Sequence, residues 1–377
     1  MRDEIVVVFD KIPTKKDGGL VATYVDFVKE LSDDYDITFL SVFRSDPSDI
    51  PAFAAVNILT LFDLDLDITF CESLSNFGNG NLLQLWSALV NAVRYFACIP
   101  MARRRTSQLL SGKKIIAVAP APASFLSCRL RYILEVHTSF EYFWGSNVLG
   151  RAQSLLIPPP QLTVFRNEAD AEKGSCRFPS SYIYNTFDDA ALQTPSLSEM
   201  NRMNACFVGR LVEHKNPLAL LEYAERVRAR IPEFKLDIYG DGPLKEALNK
   251  EICARNLDGC VVLRGFTDDK SVYQGYDLLW LSSRLEGFGL VIIEAAANMV
   301  PTVSTDWGPA VYEVIRDGET GYIAKNSEDF AEKSLMLLSD PQMRAQFAQK
   351  AYDVFHERFS KNVHKARWIE ILKEVYD

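Results

Sequence analysis

The sequence predicts an α/β protein of two doubly wound, Rossmann-like lobes facing a central cleft, and three observations carry that expectation. Short continuous apolar runs, too brief for helices, alternate with stretches of helical spacing, which is the pattern of parallel sheets covered on both faces. The alternation runs twice, interrupted by a polar stretch over 188–202 that contains Pro195 and reads as a linker. At 377 residues the chain is long for one hydrophobic core and comfortable for two.

In the first lobe, 1–187, residues 5–9 form a strand. A glycine-bearing loop with Gly18 and Gly19 follows, then a helix marked by Leu20, Tyr24, Phe27, Val28 and Leu31. Further strands are expected over 37–42, 56–61, 114–118, 133–136, 162–165 and 182–184. Between them Leu82, Leu85, Trp86, Leu89, Val93 and Phe96 recur at helical spacing and lead into Arg103, Arg104 and Arg105. That stripe either packs into the lobe or docks on an anionic lipid surface. In the second lobe, 203–358, strands are expected over 205–208, 236–239, 261–263, 278–281 and 302–304, and Asn216-Pro217 reads as a helix start. After Ser327 the strands stop and three helical stretches follow. The last of them, within 359–377, reads as a helix packing back on the first lobe.

Composition excludes several classes. Hydrophobic residues at 48% and charged residues at 24% describe a folded protein. A net charge of -9, from 41 basic and 50 acidic residues, excludes nucleic acid as an expected partner. Seven cysteines scattered from Cys71 to Cys260 without CxxC spacing suggest neither a zinc site nor a disulfide framework, which fits a reducing cytosol. The N-terminus MRDEIVVVFD does not read as a signal peptide, and no run reaches the roughly 18–20 apolar residues of a spanning helix. A cytoplasmic protein is expected, at most peripheral at the inner face of a membrane.

The strongest chemical signal is the segment from Glu286 to Glu294, where Gly287, Phe288, Gly289 and Leu290 sit at a strand-to-helix turn between two carboxylates. Such a turn leaves N–H groups free at a helix start, where they attract phosphate. The alternative is a capped amphipathic helix with two solvated glutamates. Arg210 and Lys215 flank a second strand-to-helix turn and suit a diphosphate, or are surface cations. Gly18-Gly19 places amides at the top of the first strand without completing a phosphate-loop motif, and a simple tight turn reads as well. His137 ends the strand over 133–136, at the edge where ligand-facing residues belong, or is a hydrogen-bonded structural residue.

Taken in order, GRLVEHKNP from Gly209, IYGDGP over 238–243, LRGF over 263–266 and SSRLEGFGLVIIEAAANMVPTVSTDWGPAVYEVIRDGETGY from Ser282 resemble glycosyltransferase family 4, whose retaining members have the GT-B fold. The resemblance spans about 205–340, with a looser match in the first lobe through Gly18, Gly19 and His137. It implies that Arg210 and Lys215 hold and neutralise a donor diphosphate, helped by the amides of Phe288, Gly289 and Leu290. Glu294 would bond the ribose, Glu286 the transferred sugar, His137 would lie beside that sugar, and the backbone at Gly265 and Phe266 would meet the base. Gly18 and Gly19 would close on the phosphates. Where the family often has a Gly-Gly pair, this chain has Trp307-Gly308-Pro309. The implied donor is a nucleotide diphosphate sugar, the acceptor a glycan, lipid-linked or protein group, and neither cofactor nor metal is expected. Asp63, Asp65 and Asp67 could be taken for the acidic metal triplet of the other large glycosyltransferase fold, but read as a solvated loop. Competing readings are an inactive sugar-nucleotide-binding partner subunit, or an epimerase or phosphorylase of the same architecture.

Overall fold

The structure, a computed structural model, describes residues 2–14, 19–66, 82–137, 140, 155–190, 192 and 202–377. It divides into two compact units, Met1–Ile183 with Lys365–Asp377, and Tyr184–His364. Most of the polar stretch over 188–202 lies outside the described residues.

The strands of the first unit are β1 (Asp3–Phe9), β2 (Tyr35–Ser41), β3 (Asn57–Thr60), β4 (Lys114–Val118), β5 (Ile133–Glu135), β6 (Leu162–Phe165) and β7 (Ser180–Tyr182). They form one sheet in the order β3-β2-β1-β4-β5-β6-β7, each pair parallel. Alternate residues explain the continuous apolar runs. Val6, Val8, Leu40, Ile115, Ala117 and Leu134 pack on one face, while Ile5, Val7, Phe9, Phe39, Ile116 and Ile133 pack on the other, so no face is left to water. Helices α1 (Gly19–Leu31), α2 (Leu82–Leu109), α3 (Pro120–Ala123) and α4 (Glu168–Gly174) connect the strands. Strand β7 lies two residues ahead of the expected position, with Phe165 opposite Tyr182. It opens on the half-buried pair Ser180-Ser181, which gives no apolar signal.

The second unit contains β8 (Asn204–Val208), β9 (Lys235–Tyr239), β10 (Val261–Gly265), β11 (Leu278–Leu281), β12 (Thr302–Thr305) and β13 (Gly321–Ala324). Their order is β10-β9-β8-β11-β12-β13, again all parallel, so both sheets share the doubly wound arrangement that starts at a central strand and reverses direction once. Strand β13 has no counterpart in the sequence reading. It opens on Gly321, which reads as a turn residue but sits where an added Cβ would lie 2.3 Å from the Thr302 carbonyl oxygen. The helices are α5 (Ala219–Arg228), α6 (Lys245–Ala254), α7 (Leu290–Ala297), α8 (Val311–Val314), α9 (Ser327–Ser339) and α10 (Pro341–Arg358). Two start signals act as caps: Asn326 accepts from the Asp329 amide, and Asp340 accepts from Gln342 and Met343 with Pro341 in the first turn. Asn216 does not cap. It holds a left-handed conformation at φ 49°, which Asn tolerates, and closes the 3-10 turn Glu213–Lys215, while α5 begins at Ala219.

The last helix, α11 (Lys361–Tyr376), contributes its residues from Lys365 onward to the first unit. Trp368, Ile371 and Leu372 are fully buried there, with Trp368 edge-on to Phe27 at 5.3 Å between ring centroids. The Tyr376 hydroxyl donates to the Ile115 carbonyl at 2.7 Å.

Candidate functional site

In a doubly wound sheet, ligands collect outside the carboxyl ends of the strands where the winding reverses. In the second unit that point lies between β8 and β11, which pair through Leu278 with Ala205 and Leu279 with Cys206. The segments leaving these two strands carry Arg210 and Lys215, and Ser282 to Glu286. They are tied together: the Ser282 hydroxyl donates to the Lys215 carbonyl at 3.0 Å and the Arg284 amide to the His214 carbonyl at 2.8 Å. The loop after β8 is also held by the one after β9, through Gly209 N–H to Tyr239 O at 3.0 Å and Leu211 N–H to Asp241 O at 2.9 Å. Gly240 permits that approach. Its φ is +148°, and a Cβ there would stand 1.9 Å from the Gly209 carbonyl oxygen.

At this point Lys215 and Glu286 form an ion pair, and the Ser283 hydroxyl donates to the same carboxylate oxygen at 2.7 Å. Their side chains are 17% and 9% exposed, so the pair is well shielded from water. Arg210 is exposed nearby. The His214 pKa is lowered, first by partial burial and then by Lys215 and Arg210, with Glu286 opposing, so His214 adds no cation at neutral pH.

Glu294 lies on α7 and is buried at 6% exposure. One carboxylate oxygen pairs with Lys270, whose side chain is half exposed, and the other accepts from the buried Tyr273 hydroxyl at 2.6 Å. Burial and the Glu294 charge push the Tyr273 pKa well up, which keeps it a donor. Gly289 stands at the start of α7 with φ +80°, and a Cβ there would lie 2.9 Å from Ile292 Cδ1. The Phe288 ring is buried against Tyr184 and Phe359, which anchors the turn whose amides include Phe288, Gly289 and Leu290. Gly265, at φ +80°, ends β10 beside a bulge, and Phe266 after it is 76% exposed.

In the first unit His137 stands two residues beyond β5, at the carboxyl edge of its sheet. Among the described residues three neighbours surround it. Tyr24 from α1 donates to Glu135 and lies 3.3 Å from His137 Nε2. Arg166, just after β6, is ion-paired with Glu135 and donates from Nε to His137 Nδ1 at 3.3 Å. Burial lowers the His137 pKa to about 4 and the Arg166 pKa to about 10. Gly18 lies outside the described residues, and Gly19 opens α1. Asp63 and Asp65 are exposed and pair with Arg44 at 3.6 Å and Lys11 at 2.7 Å, while Asp67 lies outside the described residues.

The structure thus brings Lys215 to Glu286, leaves Arg210 exposed close by, and keeps Glu294 in a separate buried cluster. Sequence reasoning missed Ser283, Lys270, Tyr273, Tyr24, Glu135 and Arg166. For Arg166 a signal existed: a charge immediately after the buried strand β6 is the same pattern that singled out His137. No comparable signal marks Lys270 or Tyr273, whose meeting with Glu294 depends on tertiary packing.

Residues 190–354 match the family model of the glycosyl transferases group 1. The poly(glycerol-phosphate) alpha-glucosyltransferase of Bacillus subtilis is 30% identical over 53% of this chain and 29% of its own length. The chain spans about a third of the curated relatives it matches, at 29%, 35% and 34% of three of them. Two solved structures share the fold over nearly the whole chain. TarM of S. aureus, in complex with Fondaparinux, alpha-GlcNAc-glycerol and UDP, has a TM-score of 0.74 at 16% identity and covers 98% of this chain and 99% of its own. HepE of Anabaena, in complex with UDP and glucose, has a TM-score of 0.73 at 18% identity with the same coverage, 98% and 99%. Residues 190–354 of the second unit are thus similar to the glycosyl transferases group 1, and the chain shares the GT-B fold of these two structures over nearly its whole length.

Proposed function

We propose that this chain is a retaining, metal-independent glycosyltransferase that moves a hexosyl or N-acetylhexosaminyl group from a nucleotide diphosphate sugar to a glycan, lipid-linked or protein acceptor, in cell-surface polysaccharide or glycoconjugate synthesis. The observation that carries this reading is the meeting of Lys215 and Glu286 at the reversal point of the second sheet, inside the segment that matches the family. The UDP in the TarM and HepE complexes makes uridine diphosphate the first donor nucleotide to test.

Breaking the bond to the anomeric carbon puts negative charge on the departing diphosphate, and cations already in place lower that barrier. Lys215 and the exposed Arg210 supply them, and the first-turn amides at Phe288, Gly289 and Leu290 add partial positive charge. A diphosphate carries more charge than the single Glu286 carboxylate, so it draws Lys215 toward itself and frees Glu286 for hydroxyls of the transferred sugar. Glu294 takes the ribose in exchange for Lys270, whose half-exposed side chain is free to leave. The backbone at Gly265 and Phe266 meets the base.

The enzyme works in the cytoplasm, peripheral at the inner face of the membrane, with α2 as its contact. Trp86, Leu89, Val93 and Met101 are exposed on that helix at 67%, 49%, 62% and 53%, while Ala92, Tyr95, Ile99 and Ala102 form its core side. The helix carries Arg94, Arg103, Arg104 and Arg105 and no acidic residue in a chain of net charge -9. Arg104 and Arg105 are exposed, whereas Arg103 donates to the Ser124 and Leu156 carbonyls. Among the described residues no helix is long and apolar enough to cross a membrane.

The deciding experiment supplies UDP-glucose and UDP-N-acetylglucosamine with candidate acceptors in EDTA and reads the product anomer by NMR. An α-linked product from the α-linked donor, formed in EDTA, is expected. An inverted anomer overturns retention, and activity restored only by manganese returns attention to Asp63 and Asp65. Conversion of the donor without transfer moves the chain to the epimerase or phosphorylase reading.

A further inference from the structure

The cluster around His137 draws one residue from each of four places in the first unit: Tyr24 from α1, Glu135 from the end of β5, His137 beyond it, and Arg166 after β6. We propose that Arg166, paired with the Glu135 carboxylate to which Tyr24 also donates, is a positioning residue that fixes His137 as a neutral imidazole carrying its proton on Nε2, so that the ring serves a bound ligand by hydrogen bonding and transfers no proton. The inference rests on the function proposed above only for the identity of that ligand.

The donor and acceptor inventory fixes the tautomer. A guanidinium donates and cannot accept, so the ring nitrogen receiving Arg166 Nε–H, Nδ1 at 3.3 Å, must offer a lone pair. The other nitrogen, Nε2, has Arg166 Nη2 at 3.3 Å but is also the one that faces acceptors, Glu135 Oε1 at 3.4 Å and the Tyr24 hydroxyl oxygen at 3.3 Å, so the proton belongs there. Charge balance points the same way. Among the described residues the groups facing the ring are Tyr24 on α1, Glu135 on β5 and Arg166 beyond β6, and the buried cation and anion cancel. A protonated His137 would leave one positive charge unbalanced among side chains only 1% and 2% exposed. Burial accordingly holds the His137 pKa down at about 4.

Accessibility sets the division of labour. The His137 side chain is 18% exposed while those of Glu135 and Arg166 are 1% and 2%, and Tyr24 is fully buried, so only the imidazole can meet a ligand. Among the described residues Arg166 Nη1 is buried without a hydrogen-bond partner, a cost that an apolar residue of similar volume would avoid. Retaining the guanidinium despite that orphan donor fits a role exercised through His137 better than a purely structural ion pair.

The test is ring 15N NMR of the full chain labelled at histidine, with the His137 signals among four histidines assigned by their loss in His137→Asn. The expected wild-type spectrum is a neutral Nε2–H tautomer unchanged from pH 8 to about 5. Because Arg166→Met alone leaves the Glu135 charge buried and can fail to fold, the informative variant is Arg166→Met combined with Glu135→Gln, which removes both charges. It should show mixed tautomers, with the ring still neutral at pH 5 because its burial is unchanged. With a donor in hand, its kcat should fall about tenfold or more with KM changed less than about threefold, since a misplaced group costs mainly in the reacting complex. A wild-type His137 that titrates between pH 6 and 7, or carries its proton on Nδ1, overturns the proposal, as does a double variant with the wild-type spectrum. A chain that turns over no nucleotide sugar sinks the function proposed above and leaves the spectra to decide this one.

Discussion

Lys215 and Glu294 meet different charges, and their variants should separate accordingly. A departing diphosphate grows more negative as the bond breaks, so the Lys215 ammonium binds it more tightly in the transition state. Lys215→Ala is expected to lower kcat by roughly 10², the scale of a lost transition-state donor. Ribose hydroxyls do not change during transfer, so a carboxylate bonded to them contributes uniform binding, and Glu294→Ala should raise KM with kcat little altered. Steady-state kinetics of both variants checks the pair, and a Lys215→Ala enzyme with normal kcat refutes the role given to that ammonium. A second residue-scale prediction follows from His137. Its pKa of about 4 lies below the usual value of 6.5, so between those values the unfolded chain binds a proton that the folded chain does not. The sign is therefore a loss of stability as pH falls from about 6.5 to 4, of order 2–3 kcal/mol, with no His137 effect above 6.5. Urea unfolding of the wild type and of His137→Asn across that window measures it, and equal slopes for the two refute the assignment.

The elements that were legible in the sequence are those whose apolar residues serve both faces of a sheet. Strands β4, β6 and β11 stand at the residues expected because their runs are short and continuous and each is preceded by a polar residue, Lys113, Gln161 and Asp277. Strand β13 was hidden by Gly321, and β7 stands two residues ahead of its expected position because its opening serines carry no apolar signal. On α2 the stripe was real but its direction was not legible: spacing alone does not say whether Trp86, Leu89 and Val93 face the core, and it is Tyr95 and Ile99 that do. The exposed stripe should bind vesicles containing anionic lipid in a salt-sensitive way, and Trp86→Ser with Val93→Ser should abolish flotation without lowering the melting temperature. Unchanged flotation removes α2 as the contact. The loop after β8 yields a contrasting prediction. Gly240→Ala forces a Cβ against the Gly209 carbonyl at a φ of +148°, which should cost about 1–3 kcal/mol and displace the segment bearing Arg210 and Lys215. Calorimetry of that variant, together with UDP titration, should show lost stability and weakened binding.

At the scale of the whole molecule, the chain does not complete its first unit before starting its second. Residues 1–183 supply seven strands, but one face of their sheet is closed by residues arriving after the second unit has been made. Trp368, Ile371, Leu372 and Val375 belong to the same apolar cluster as Ile5, Val7, Phe27 and Phe39. A fragment ending at Ile183 would expose that surface to water, and removing a buried Trp alone costs roughly 3–5 kcal/mol, a large part of the stability of an ordinary domain. The fragment 1–183 is therefore expected to lack cooperative unfolding, whereas 184–364, which holds its own sheet and its own clusters, should unfold cooperatively. Adding a peptide of residues 361–377 should restore a transition to the first fragment, and the same peptide with Trp368→Ala should restore much less. Circular dichroism during thermal unfolding distinguishes these cases. Should 1–183 unfold with the full chain's sharpness and midpoint, the closing role assigned to α11 is wrong, and its contacts with Phe27 and Ile115 contribute little to the unit they complete.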